Sequence, residues 1–97
     1  MIVRVLGEGQ FRVDDDTAAK LTVLDKDLDA AVHAGDEAVF KMALGSAVKL
    51  VREAGLPVPD DEFVTADYIL PFSDATVSEV RKLLADGTIH GDSLGLP

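Results

Sequence analysis

Cysteine is absent from this chain, which excludes a disulfide framework, a thiolate metal site and a thiol nucleophile. Aromatic residues are scarce, four phenylalanines and one tyrosine, so Leu, Val and Ala must supply most of the buried surface. No apolar run approaches the roughly 20 residues of a membrane-spanning helix. The N-terminus reads as a strand rather than as a basic segment followed by an apolar stretch and a cleavage site. These absences set the expectation of a soluble, cytoplasmic protein. Bases are also few, nine against eighteen acids, for a net charge of -9. The imbalance steepens along the chain: nine acids face six bases in residues 1–50 and nine face three in residues 51–97. A surface of that sign repels nucleic acid and anionic lipid headgroups. Any association with a membrane is therefore expected to be indirect, through a partner, without insertion.

What is present fits a single domain of 97 residues with one economical core. Met1 to Leu6 (MIVRVL) is β-branched and apolar, and Gln10 to Val13 (QFRV) alternates polar with apolar. Gly7-Glu8-Gly9 between them predicts a hairpin loop, with glycine taking positive φ where a Cβ would clash. A phosphate-binding loop would need a third glycine at position 12 and a helix opening there, whereas the residue is Arg12 in a strand-like run. Asp14 to Asp16 then provide an N-cap and favourable charge for a helix. Its Leu21, Leu24, Leu28 and Val32 share one face. Gly35 suits the end of that helix and Asp36 the start of the next. In the second helix Phe40, Leu44, Ala47 and Val51 form a stripe flanked by Val39, Val48 and Leu50, until Gly55 and Pro57 stop it. So short a link predicts an antiparallel helical hairpin. The second helix's apolar arc is wider than one helix can cover, so a further layer must pack on it. Gly45, inside that helix on its polar side, reads as tolerated rather than as a point of close approach.

Residues Leu56 to Glu62 (LPVPDDE) read as a rigid acidic connector. Of the two short apolar runs that follow, Tyr68 to Leu70 is the better third strand, ended by Pro71. Thr76 and Glu79 form a capping box for a third helix with Val77, Val80, Leu83 and Leu84 on one face, closed by Gly87. The expected fold is α+β: a small antiparallel sheet, made of the N-terminal hairpin and a third short strand, packed with a helical hairpin and a C-terminal helix. The domain is expected to span residues 1–87, and residues 88–97, with little periodicity, to form a loosely ordered tail.

Few residues point to chemistry. Asp25, Asp27, Asp29 and Asp36 imitate a calcium loop, but Ala30 stands where the turn glycine belongs and Asp36 where a bidentate glutamate belongs. Leu28 belongs to the helical stripe, so these acids are expected to decorate a continuous solvated helix face. Asp14 to Asp16 and Asp60 to Glu62 sit at element ends, where acids act as caps and solubilising charge. His33 lies in the last turn of a helix, where an imidazolium is favourable, and His90 lies far away in the tail. No base, nucleophile and orienting group are placed to converge, so neither catalysis nor a cofactor is expected. Opposite the Leu stripe of the first helix runs a narrow seam of Ala19, Val23, Ala30 and Ala34, with Lys26 at its edge. It reads either as a face covered by the hairpin or third helix of this domain or as a contact face for another molecule. On the second reading Ala19, Val23, Asp25, Lys26, Asp29 and Ala30 are the candidate partner-binding residues.

Read end to end, the chain resembles the PspAA family, small proteins associated with PspA in the phage-shock envelope-stress system. The residues that carry the resemblance are IVRVLGEGQFRVDD, AGDEAVF, PVPDDEFVTADYILP and ATVSEVRKLLADG, in order, over about residues 1 to 87. The resemblance implies a non-enzymatic adaptor or regulator acting on PspA, a coiled-coil membrane-remodelling protein related to the ESCRT-III machinery. It also implies recruitment to the inner face of the membrane through that partner. It brings no catalytic or ligand-binding residues. Two other readings remain open at this level: a small-ligand or metal-dependent acidic domain, perhaps hydrolytic, built on the Asp clusters, and an acidic decoy for a basic nucleic-acid-binding protein.

Overall fold

The structure, a computed structural model, describes residues 1–85. Strands β1 (Ile2–Val5) and β2 (Gly9–Arg12) form the expected antiparallel hairpin, with Val3 opposite Phe11 and Arg4 opposite Gln10. Alternation along β1 buries Val3 and Val5 and exposes Arg4, the period-two signature of a sheet packed on one face. The loop is a turn: the Glu8 amide donates to the Val5 carbonyl at 2.9 Å, with Gly7 at φ 84° and Gly9 at φ 111°. A Cβ on Gly7 would also stand 3.0 Å from the Phe72 ring.

Helix α1 (Asp15–Ala34) begins where the Asp14 carboxylate accepts from the Thr17 amide at 2.8 Å. It ends at Gly35, φ 71°, and the Asp36 amide donates back to the Ala31 carbonyl at 2.9 Å. Asp36 then caps α2 (Glu37–Ala54), accepting from the Val39 amide at 3.1 Å. The two helices pack as the predicted hairpin. Buried Phe40, Leu44, Ala47, Val48 and Val51 of α2 join Leu21, Leu28 and Val32 of α1 in one core with Val3, Val5, Tyr68 and Leu70 of the sheet. The sheet is the further layer that the wide apolar arc of α2 required.

Two features depart from expectation. Leu56–Pro57 is not only connector: it forms a two-residue strand, β3, paired antiparallel with β2 through Phe11 and Arg12. Proline lacks the ladder donor, yet at a sheet edge that donor is not needed. Strand β4 (Tyr68–Leu70) is the expected third run, but it lies parallel to β1, so the sheet is mixed, in the order β3-β2-β1-β4. The Asp67 amide donates to the Ile2 carbonyl at 2.8 Å and the Leu6 amide to the Leu70 carbonyl at 3.1 Å. The chain reaches β4 only after crossing the helical hairpin, which permits the parallel sense.

Helix α3 (Val77–Ala85) opens on the predicted capping box, with the Glu79 amide donating to Thr76 Oγ1 at 3.1 Å and the Thr76 amide to Glu79 Oε1 at 3.3 Å. It is clasped to the α1–α2 junction, where Glu37 accepts from the Val77 amide and the Arg81 guanidinium donates to the Val32 carbonyl. Gly87 and the tail 88–97 lie outside the described residues.

Candidate interaction surface

The candidate residues of α1 divide by helical geometry. At 100° per residue, Ala19, Val23, Lys26 and Ala30 project from the side opposite Leu21, Leu28 and Val32. All four are exposed, Val23 by 61%, as is Ala34. Neither the hairpin nor α3 covers this seam. Exposed Asp16 and Asp27 fall along one margin of it and Lys26 along the other. On α2 the outward residues include Met42, 74% exposed, and Gly45, around which a Cβ would meet nothing within 4 Å. Gly45 therefore mediates no close approach within the described residues.

Asp25 is not on that face, and the expectation that it belongs to a solvated surface is corrected. Its position, four residues after Leu21 and three before Leu28, places it in the buried stripe. It is 2% exposed. Its Oδ1 accepts from Tyr68 Oη at 2.8 Å, joining α1 to β4. Burial pushes the Asp25 carboxyl up to about 6; the Tyr68 hydrogen bond opposes that rise and the Asp29 charge adds to it. The Tyr68 phenol is raised as well, by burial first and then by the facing carboxylate. Asp29 is partly buried and lies 3.5 Å from His33 Nδ1. The sequence did hold a signal for Asp25, its place on the Leu wheel; reading it by residue type instead of by angle assigned it to solvent.

Several of the other acids are engaged singly. Asp14 is a cap, Glu62 pairs with Arg12, and Glu8 accepts two bonds from Arg52 at 2.6 and 2.5 Å. Those bonds hold the Glu8 carboxyl below its usual range. Among the described residues no three His, Asp or Glu side chains are grouped to hold a metal ion. Asp27 and Asp29 ride on an unbroken helix rather than a loop. A cleft of about 120 Å³ lies between the outer sheet face, at Arg4 and Gln10, and the segment Val58–Glu62. A groove of about 300 Å³ runs beside Phe72, Ala75 and Leu83. Neither gathers a nucleophile with a base. Phe63 in the connector is 99% exposed. No helix among the described residues is long and apolar enough to cross a membrane.

These features define a small two-layer α+β domain whose accessible elements are helix faces and isolated apolar side chains. The chain belongs to the PspAA family: the family model described as PspA-Associated protein matches residues 1–92. No curated protein and no solved structure matches it.

Proposed function

We propose that this protein is a non-enzymatic adaptor that binds a PspA-like coiled-coil protein through the outer face of α1 and modulates that partner's assembly or membrane engagement. The family description, PspA-Associated protein, supports the choice of partner. The observation that carries the surface is the uncovered α1 seam, where Val23 stands among exposed Ala19 and Ala30. Small side chains let a second helix approach closely, and Val23 offers a knob for a gap between its side chains. The acidic margin, with a net charge of -9 behind it, draws a helix with basic flanks and sets the orientation of encounter more than the final affinity. The same charge disfavours direct adsorption to anionic lipid, and on this reading the protein works in the cytoplasm and reaches the inner membrane face only through its partner.

Titration calorimetry with purified PspA tests both parts. A saturable complex is expected, weakened at least tenfold by the pair Val23→Glu and Ala30→Glu with the circular dichroism spectrum unchanged. Charge reversal at Asp16 and Asp27 should slow association at low salt and lose that effect at high salt. Absence of any complex would reject the adaptor reading. A complex indifferent to Val23→Glu with Ala30→Glu would move the contact to another face.

A further inference from the structure

Asp25 is the one carboxylate of the described chain set into the core, and its environment suits a neutral acid. Of the elements packed about the core, β1 turns in Val3 and Val5, α2 turns in Phe40, Leu44, Ala47 and Val51, and α3 turns in Val77 and Val80. None of these carries charge. The polar neighbours are Tyr68 of β4, which donates to Oδ1 at 2.8 Å, and Asp29, one turn along α1, whose charge opposes ionisation. Arg81 of α3 is engaged at the Val32 carbonyl, and among the described residues no ion pair includes Asp25. A protonated carboxyl here still accepts from the Tyr68 phenol at Oδ1 and has no charge to desolvate. A carboxylate has one donor, no cation and a like charge nearby, and burying it in that state is costly.

We infer that the Asp25–Tyr68 contact is a protonation-controlled latch between α1 and the sheet, closed when the carboxyl is neutral and loosened when it ionises. The Tyr68 hydrogen bond by itself favours the carboxylate, but burial and the Asp29 charge outweigh it, so ionisation favours openings of α1 from β4 that hydrate the carboxylate. The midpoint, about 6, falls near neutrality, so modest acidification closes the latch. The sign follows from proton uptake. Between the ordinary Asp value of 3.8 and the raised value of about 6 the folded chain holds more proton than the unfolded one, so stability falls as pH rises through this window. The inference concerns the inner side of α1 and does not depend on which partner meets its outer side.

Urea denaturation and amide hydrogen exchange at about pH 5 and about pH 7.5 test it. For the wild type the unfolding equilibrium constant is expected to rise about tenfold from the lower to the higher pH. Protection of Tyr68–Leu70 and of the α1 turns around Asp25 should fall with it, after correction for intrinsic exchange. Asp25→Asn keeps an acceptor for Tyr68 and cannot ionise. It should abolish most of the pH dependence and bring protection at pH 7.5 to the wild-type level at pH 5. An Asp25→Asn protein that keeps the tenfold dependence would overturn the latch. Should that variant not fold, carbon-13 carboxyl titration of the wild-type chain decides: a midpoint near 6 supports the latch, and one near 3.8 overturns it.

Discussion

Gly45 and Gly55 lie in or at the end of the same helix, and their surroundings give them opposite consequences. Gly55 has φ -84°, a backbone that any residue adopts, yet a Cβ there would stand 2.5 Å from the Val51 carbonyl oxygen and 3.0 Å from Phe11 Cβ. It is glycine because the Val51 carbonyl of α2 and, behind it, Phe11 of β2 leave no room for a Cβ. Gly45 is exposed in mid-helix with open space around it. Gly55→Ala should therefore destabilise the fold by about 1–3 kcal/mol through overpacking, whereas Gly45→Ala should stabilise it by about 1 kcal/mol through helix propensity. Urea midpoints of the two variants provide the check, and equal shifts of one sign would show that the end of α2 and β2 yield to the added methyl. In the sequence both positions read as helix punctuation or tolerance; the Val51 carbonyl and Phe11 around Gly55 separate them.

At the scale of elements, ends were more legible than interiors. Asp14, Gly35, Asp36 and the Thr76–Glu79 pair mark helix boundaries because capping satisfies amides and carbonyls within a few residues. Interiors depend on which neighbour arrives. Leu24 and Leu28 share the sequence stripe of α1, but Leu28 is fully buried while Leu24 is only partly so, and Asp25 takes the inward place between Leu21 and Leu28. Leu28→Ala is expected to cost about 2–5 kcal/mol and Leu24→Ala clearly less. Thermal melts of the two single variants decide, and equal losses would mean that the helix can rotate about its axis. Strand β3 escaped the sequence because two residues, one of them proline, carry no periodicity. The parallel sense of β4 escaped because pairing with β1 joins residues more than sixty positions apart.

For the molecule as a whole, titrating groups of opposite sense shape stability. The Glu8 and Asp14 carboxyls sit below their ordinary values, held by the Arg52 guanidinium and the Thr17 amide respectively. Their contributions are present above the ordinary values of 4.5 and 3.8 and are lost as pH falls through the lowered ones. Asp25 works the other way, weakening the fold as pH rises toward about 6. The melting temperature should therefore peak near the ordinary carboxyl values, at about 4 to 4.5, fall as pH rises through about 6 and then lose most of its dependence on Asp25. Repulsion within a net charge of -9 adds to that decline. Added salt should recover the repulsive part and leave the buried part. A melting temperature that rises steadily from pH 5 to 7 would contradict both the sign and the burial of Asp25.

The amino-acid sequence by itself determined the helix stripes, the caps, the glycine turn and the class of fold, because each depends on contacts within about one helical turn or one hairpin. It also placed Ala19, Val23, Lys26 and Ala30 on one side of α1. Tertiary structure alone decided that no element among the described residues covers this side, that Asp25 belongs to the core with Tyr68, and that β4 runs parallel to β1. Those outcomes depend on which distant segment lies against a residue, a choice made by packing the whole chain.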